Sequence, residues 1–489
     1  MPRDEGGQSI FPVAPIVQQC FLAKERPASK QDDAMNRRSF LAAAAYTALA
    51  SKGLAKGPLP QVTEPDVKTP GRSLEEFRRT RMSDTDLLHE ATSSGEKNLF
   101  IPSRLYRLES TIELLSGVTL SGNGDTSCLR LELSSGEPAI PLIVAKQGES
   151  QISLLNFLID GNGAQLSNPR GDQFAVVSGS AVIVSASDSL VQNLAVKDAW
   201  DNGIVILHSK NGRGQPGQPS DVRLLFNRTE NCGVGFHDPG GPGQIGSGAN
   251  NGSGARCMIV GHHDRGSRGA VTVDDGGGAS GFALGCISIE NAGDARVGAG
   301  NPTPASQGTG TAFYSGNPDW SFDTCKAYFP RKHGFWLAAA GGMQARGCEV
   351  IGAQEHGFYL SGPNHNLSNC RAKNVSQKRD NTYSSYFVEA PFGNAEGIVL
   401  NNCVSEFDPA VEKKPKFGYE ELSFKGFHPS ATLTGGSFNG KTAGISPLQG
   451  STSLNMVAAN DEMIFDMPKT TGKARGSLFR DDNGFLRVR

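Results

Sequence analysis

A short run of alternating apolar residues, opened by a glycine, recurs along the middle of the chain. The copies are Asn202-Gly-Ile-Val-Ile-Leu207, Cys232-Gly-Val-Gly-Phe-His237, His333-Gly-Phe-Trp-Leu337, His356-Gly-Phe-Tyr-Leu360 and Glu396-Gly-Ile-Val-Leu400. Side chains on a strand alternate between its two faces, so each run predicts a short strand with one buried face. One unit cannot bury that face alone, and the units must therefore stack. The pattern predicts a β-solenoid.

Aligning the glycines assigns an inner and an outer face to each strand. The aligned positions are Gly203, Gly233, Gly269, Gly310, Gly334, Gly357 and Gly397. Residues one and three places later should face inward, so Phe335, Phe358 and Ile398 are expected to stack in one column. Residues two and four places later then form one outer strip, which carries His237, Tyr314, Trp336 and Tyr359. Such rings suit the apolar faces of sugars, unless an insertion covers them.

Three segments interrupt the repeat: 240–255, 296–308 and 378–394. Long loops on a rigid solenoid tend to build the binding site.

Cysteines keep step with the repeat. Cys325, Cys348 and Cys370 are 23 and 22 residues apart, and Cys403 extends the series. We expect them at one position of successive coils, about 4.8 Å apart, where disulfides are geometrically possible. No C-x-x-C pair is present, so a zinc ribbon is not indicated. We favour buried free thiols over disulfides.

The segment before the repeat resembles a known fold family. Residues 101–110, followed by Ser116-Gly-Val-Thr-Leu-Ser-Gly-Asn-Gly-Asp125, resemble the first coils of the pectate-lyase-like superfamily. The resemblance implies an all-β, right-handed parallel β-helix over residues 98–440. We assign 56–97 to a linker and capping helix, with Leu87, Leu88 and Ala91 on the helix's apolar side over residues 76–98. Residues 441–489 should form a C-terminal β cap that includes an Asn-Gly hairpin.

The N-terminal segment, residues 1–55, reads as an extension followed by an export signal. Asn36-Arg-Arg-Ser-Phe-Leu41 and the alanine-rich run after it resemble a twin-arginine signal, with cleavage expected near Ala50 or Ala55. This implies the Tat translocase as a transient partner and a periplasmic or secreted protein. The apolar run is too short for a stable membrane anchor. A formal net charge of −2 leaves no basic field for nucleic acid.

Acidic residues fall at one end of the outer strip. Five places after the glycine stand His208, Asp238 and Asp274, with Asp275 directly after. Carboxylates on adjacent coils must share a proton or a cation, so we expect an acid/base pair or a Ca²⁺ site. The alternative is an Asp-rich turn.

Two partial likenesses fall on the same residues. His237-Asp238-Pro-Gly followed by Asp274-Asp275-Gly is similar to the paired motifs of polygalacturonase-like hydrolases, but the Gly-His-Gly and Arg-x-Lys of that family are missing. Gly235-Phe-His-Asp-Pro239 is similar to the Gly-Phe-Asp-Pro-His of alginate-epimerase-like β-helices, with the His displaced.

Basic residues mark the other end of the strip. Lys326, Glu349 and Arg371 are expected to form one stacked row, with His356 in a nearby turn. Polysaccharide lyases of the resembled fold use a Lys or Arg as base and a cation to stabilise the enolate. That role is assigned to Lys326, Arg331 and His333, with Arg371 and His356 contacting substrate. The alternative is a solvated turn whose histidines cap coils.

The sequence therefore predicts an exported enzyme that acts on an anionic, uronate-containing polysaccharide, by β-elimination. The other hypotheses are a glycoside hydrolase with paired Asp, a uronate C5-epimerase and a non-catalytic glycan-binding β-helix.

Overall fold

The chain folds as a right-handed parallel β-helix, as the repeat and the resemblance predict. The structure is a computed structural model that describes residues 71–167, 179–207, 218–234, 247–273, 280–291, 310–338, 341–391, 393–455, 457–460, 462–464, 478–480 and 486–488. Each regular coil contributes three short strands, which pair in parallel with the equivalent strands of the coils before and after it. The three resulting sheets are named here sheets 1, 2 and 3.

Sheets 1 and 2 join at two long strands that serve both, Thr119–Leu131 and Ser153–Asp160. The other strands of sheet 1 are Arg72–Ser73, Asn98–Ile101, Leu190–Gln192, Arg223–Leu225, Cys257–Val260, Gly281–Leu284, Trp320–Asp323, Gln344–Arg346, Asn366–Ser368, Ala395–Asn401, Pro429–Thr434 and Ser453–Asn455. Those of sheet 2 are Arg104–Leu108, Ala195–Lys197, Arg228–Glu230, His263–Arg265, Ile287–Ile289, Lys326–Tyr328, Glu349–Ile351, Arg371–Lys373, Val404–Glu406, Ser437–Phe438 and Val457–Ala459.

Sheet 3 is a separate sheet of twelve strands. They are Ile112–Leu114, Ile143–Ala145, Val182–Val184, Ile204–Ile206, Ser247–Asn251, Gly269–Val273, Phe313–Ser315, Phe335–Leu337, Phe358–Ser361, Tyr386–Glu389, Phe417–Leu422 and Ala443–Ile445.

A two-residue turn connects sheets 1 and 2 in most coils. Its first residue has a left-handed backbone, as at Thr324 with φ 50° and Gly347 with φ 57°, and its second is buried. In five successive coils the buried residue is a cysteine: Cys286, Cys325, Cys348, Cys370 and Cys403. We call these the cysteine ladder. All eight described cysteines are free, so the prediction of stacked, unpaired thiols is confirmed.

The core column beneath sheet 3 is aromatic in its C-terminal half. The ring of Phe335 stacks on Phe313 at 4.7 Å and on Phe358 at 5.0 Å, and Tyr386 continues the stack at 5.0 Å. The prediction that Ile398 stacks in this column with Phe335 and Phe358 is wrong. Ile398 belongs to Ala395–Asn401 of sheet 1, where Val399 pairs with Asn366.

The strand register corrects several other glycine alignments. Ile204 pairs with Ala249, so the coil's strand lies inside the predicted 240–255 insertion and does not follow Gly233. Tyr386–Glu389 likewise lies inside the predicted 378–394 insertion. The structure pairs Val271 with Phe313, and Phe313 with Phe335, which stands one place after Gly334. The predicted alignment at Gly269 is therefore wrong by one residue, and that at Gly310 by two.

The N-terminal end is capped as predicted, by a helix shorter than predicted. Helix α1, Asp84–Ser93, follows a 3₁₀ turn at Leu74–Phe77 and buries Leu87, Leu88 and Ala91. Its first turn accepts hydrogen bonds from the edge strand: Arg107 N–H donates to Asp84 at 3.0 Å, and Glu109 N–H to Thr85 at 2.9 Å. These bonds occupy strand-edge donors that would otherwise pair with another chain.

At the other end, parallel pairing continues past residue 440 into Ser453–Asn455 and Val457–Ala459. Glu462–Ile464 then pairs antiparallel with Val457–Ala459. Leu478–Arg480 and Leu486–Val488 form the antiparallel pair that the Asn-Gly signal predicts. Within the described ranges, no helix has the length and apolar character needed to cross a bilayer.

Candidate functional site

Four aromatic side chains occupy one position of sheet 3's outer face in consecutive coils. Tyr314, Trp336, Tyr359 and Phe387 are register partners, and we call them the ring ladder. Ring centroids lie 5.2 Å apart from Tyr314 to Trp336, and 5.3 Å apart at each of the next two steps. Three members were predicted together. Phe387 was missed because Ser385 replaces the glycine, although Ser385-Tyr-Phe-Val388 otherwise repeats the pattern of Gly357-Phe-Tyr-Leu360.

The rings cover one another as well as facing outward. Trp336 and Tyr359 are nearly parallel, at 15°, so each hides much of the other's face. Their polar atoms are held: Trp336 Nε1–H donates to Ser361 Oγ at 3.1 Å, and the Tyr359 hydroxyl donates to Glu389. Both side chains remain half-buried. A ligand on this face would therefore meet a rigid surface of ring edges and the polar groups beside them.

His333 and His356 stand one place before the glycine in adjacent coils and cap the next coil. His333 Nδ1 accepts from His356 N–H at 3.4 Å, and His356 Nδ1 accepts from Ser384 N–H at 3.1 Å. Burial lowers the pKa of His333 well below its usual value and that of His356 to about 3. Both imidazoles are neutral. Their hydrogen bonds to the next coil match the alternative given above, in which the histidines cap coils.

Charged groups flank the ring ladder. Glu355 Oε1 is 2.7 Å from Lys378 Nζ, and its other oxygen is 3.8 Å from His333 Nε2. Lys332 Nζ lies 5.7 Å from the Trp336 ring centroid. Burial, followed by the contact with Glu389, raises the pKa of Tyr359 far above its usual range. The face thus carries two cations and two carboxylates around a stack of rings, and Glu355, Glu389 and Lys378 were not predicted.

Lys326 and Arg371 lie on a different sheet. Lys326, Glu349 and Arg371 pair in register on sheet 2, so the predicted stacked row is confirmed. Glu349 is 3.8 Å from Lys326 Nζ and 3.2 Å from Arg371 Nη1, and Arg371 also pairs with Glu406. Arg331 is exposed in the connection from sheet 2 to sheet 3. The structure therefore separates Lys326 and Arg371 from the ring ladder.

The predicted acidic site lies outside the described residues. This holds for Asp238, Asp274 and Asp275 and for the neighbouring His208 and His237. Within the described part of the chain, no three His, Cys, Asp or Glu side chains are grouped so that they could hold a metal. The Ca²⁺ site stays a prediction.

Towards the N-terminus the same outer position becomes polar. Thr272 and Asn250 precede Tyr314 in register, and both are buried. Asn202 Oδ1 accepts from Ser247 N–H at 2.9 Å and lies 3.5 Å from Asn250 Nδ2. The glycine alignment missed Asn250 and Thr272, because it set their coils in the wrong register.

No protein-family model and no curated protein matches the sequence. Among solved structures, the chain is similar to the catalytic domain of a GH87 alpha-1,3-glucanase, with TM-score 0.54, 13% identity, and coverage of 81% of this chain and 69% of that one. It is also similar to the A-module of mannuronan C-5 epimerase AlgE4 from Azotobacter vinelandii, with TM-score 0.45, 10% identity, and coverage of 79% and 98%. A mutant of the periplasmic alginate epimerase AlgG matches at TM-score 0.47 and 12% identity, covering 72% and 78%. The first likeness shows a shared parallel β-helix fold.

Proposed function

We propose that this protein binds an anionic polysaccharide across the outer face of sheet 3 and cleaves it by β-elimination. One observation carries the proposal: the ring ladder lies on a regular sheet, and Lys332 and Lys378 flank it from the connections that lead into that sheet. Four coils at about 4.8 Å spacing span roughly 14 Å, which suits a short run of sugars. Rings add contact area at little entropic cost, and the lysines, of which Lys378 is shared with Glu355, complement uronate carboxylates.

The reaction needs a base beside the bound sugar. It removes the proton next to the uronate carboxylate; a carbon–carbon double bond then forms as the glycosidic bond breaks, and the departing oxygen takes up a proton. Lys326, the base assigned from the sequence, is engaged with Glu349 on sheet 2. On the sheet 3 face we assign the base to Glu389, whose carboxylate meets the Tyr359 hydroxyl at the end of the ladder.

A panel of uronate polymers, followed by the ultraviolet absorbance of unsaturated ends, tests the proposal. We expect product with the wild type and about a 100-fold or greater loss in Glu389→Gln. Trp336→Ala should mainly weaken binding, by about tenfold, with Tyr328→Ala on sheet 2 as the control. Lys326→Ala distinguishes the two candidate bases. If this variant loses elimination activity and Glu389→Gln keeps it, the base is Lys326 on sheet 2. No unsaturated product from any uronate polymer would reject the lyase.

A glycoside hydrolase is the second candidate. Its support is the fold likeness to an alpha-1,3-glucanase and the two carboxylates on this face, Glu355 before the strand Phe358–Ser361 and Glu389 beside its last residue. Hydrolysis would release reducing ends without ultraviolet absorbance. A change in uronate composition without cleavage would indicate an epimerase, and binding without product a glycan-binding β-helix. Export through the twin-arginine route remains part of the proposal, and replacing Arg37 and Arg38 by Lys should retain the protein in the cytoplasm.

A further inference from the structure

Exposed apolar side chains concentrate at one place near the C-terminal end. Eight large apolar residues of the described chain are exposed, and four of them lie within 27 residues: Leu422, Phe424, Phe427 and Leu448. Single exposed apolar residues need no explanation, but a group of four on adjoining segments does.

The two phenylalanines stand on a rigid tip. Phe424 N–H donates to Phe427 O at 3.1 Å, and Phe427 N–H donates back to Phe424 O at 2.9 Å. Lys425 and Gly426 between them have φ of 51° and 85°, as a tight two-residue hairpin turn requires. Both rings are about two-fifths exposed, at 40% and 39%. The turn therefore presents two rings to solvent without flexible chain behind them.

A polar groove of about 710 Å³ begins directly beside this tip. The residues that line it are Asn394, Glu396, Gly397, His428, Pro429, Ser430, Gln449, Gly450 and Ser451. They come from three successive coils, at the connections that lead from sheet 3 into sheet 1. Phe427 adjoins the lining residue His428, and Leu448 adjoins Gln449.

Hydrogen bonds between coils hold the groove in shape. Asn394 Oδ1 accepts from His428 N–H at 3.0 Å, and Gln449 Oε1 accepts from Ser423 N–H at 2.7 Å. Beneath the groove, the buried carboxylate of Glu421 accepts from Gln449 N–H at 2.9 Å and from Gly450 N–H at 3.3 Å. The walls are thus built before any ligand arrives, which lowers the entropic cost of binding.

We propose that the groove and its aromatic tip form a second glycan-binding site, specific for an uncharged sugar chain. Exposed rings next to amide, hydroxyl and imidazole groups match a ligand with apolar faces and hydroxyl edges. Glu396 is the only Asp, Glu, Lys or Arg among the nine lining residues, and Lys425 on the tip lies with its Nζ 5.1 Å from the Phe424 ring centroid. One carboxylate and one ammonium leave the site without net charge, so it can bond to sugar hydroxyls and gains nothing from a uronate carboxylate. The site is independent of the ring ladder and of the activity proposed there.

Affinity electrophoresis in native gels that contain a neutral glucan (dextran, a soluble β-1,3-glucan or hydroxyethyl cellulose) tests this site. We expect at least one of these to retard the wild type. The double variant Phe424→Ala/Phe427→Ala should lose the retardation, by at least tenfold in apparent affinity, and Glu396→Ala by several-fold. Phe226→Ala/Phe329→Ala removes two exposed rings from other turns and should bind as the wild type does.

Three results would overturn the proposal. The first is a wild type that no neutral glucan retards. The second is a double Phe variant that binds as tightly as the wild type while it remains folded by circular dichroism. The third is a double Phe variant whose oligomeric state differs from that of the wild type in analytical ultracentrifugation while its glucan binding is unchanged. The exposed apolar residues would then form a protein interface. Elimination assays on uronate polymers are scored separately, so failure of one proposal does not imply failure of the other.

Discussion

Single buried residues of the β-helix determine part of the pH dependence of its stability. Asp264 points into the core, where Thr229 Oγ1 donates to one carboxyl oxygen at 2.7 Å and Asn291 Nδ2 to the other at 3.1 Å. These donors are uncharged, so burial dominates and raises the pKa of Asp264 to about 7. A Cβ at Gly248 would lie 2.6 Å from this carboxylate, which explains why a glycine faces it.

Asp264→Asn should stabilise the protein at high pH. Because the folded pKa is raised, the carboxyl's favourable contribution is complete below the unfolded pKa and is lost as pH rises through about 7. Asparagine imitates the protonated acid and removes that loss. We expect its free energy of unfolding, relative to that of the wild type, to be larger by about 1–3 kcal/mol at pH 8 than at pH 5, measured by urea titration. The exposed Asp319→Asn is the control, and equal differences at both pH values for Asp264→Asn would contradict the prediction.

At the scale of elements, the two-residue turn between sheets 1 and 2 repeats one hydrogen bond. Cys348 Sγ–H donates to Phe322 O, and Cys370 Sγ–H to Ala345 O, each at 3.4 Å and each to the preceding coil. Asn227 makes the equivalent bond to Val191 O at 3.0 Å in an earlier coil. The thiols of the cysteine ladder thus donate to a backbone carbonyl of the preceding coil, as the side-chain amide of Asn227 does. Burial, together with neighbouring thiols, raises the pKa of Cys325 and Cys370 well above the usual value.

Cys348→Ala should lower the free energy of unfolding by about 1–2 kcal/mol, because it removes a buried donor and leaves a small cavity. Cys128→Ala, at the half-exposed cysteine, should cost less. A thiol reagent should label the ladder cysteines only after denaturation, since thiolates are the reactive form and these thiols are buried. Rapid labelling of the folded protein at Cys325, Cys348 or Cys370, read by mass spectrometry, would contradict this account.

At the scale of the whole molecule, buried neutral histidines brace the stack at several heights. Burial lowers the pKa of His262 and His356 to about 3, of His365 to about 4, and of His333 well below its usual value. Their stabilising contribution is present above the unfolded pKa, near 6.5, and is lost as pH falls towards the folded values. Burial also raises the pKa of Asp264 and Asp323, which act in the opposite direction, but these two groups oppose four.

The protein should therefore be acid-labile. We expect its thermal midpoint to fall by about 5–10 °C between pH 7.5 and pH 5, since each such histidine contributes up to about 2 kcal/mol over this range. His356→Gln should reduce the slope, whereas the exposed pair His89→Gln/His428→Gln should leave it unchanged. A midpoint that rises on acidification would contradict the prediction.

Features that depend on neighbours in the chain were predictable from the sequence. The repeat, the stacked free cysteines, the N-terminal helix and three members of the ring ladder follow from alternation, turn chemistry and spacing within one coil. Local rules suffice here because each short strand alternates its faces wherever it lies.

Only the tertiary structure decided which sheet each strand joins. Gly-Ile-Val-Leu at Gly397 and Gly-Phe-Tyr-Leu at Gly357 look alike, yet they lie on sheets 1 and 3. Loops of different length change the number of residues in each coil, and hydrogen bonds to the coils before and after restore the strand register. The same long-range pairing separated Lys326 from Trp336, added Phe387 to the ladder and set His333 and His356 to cap their neighbours, because contacts between coils are not encoded within one repeat.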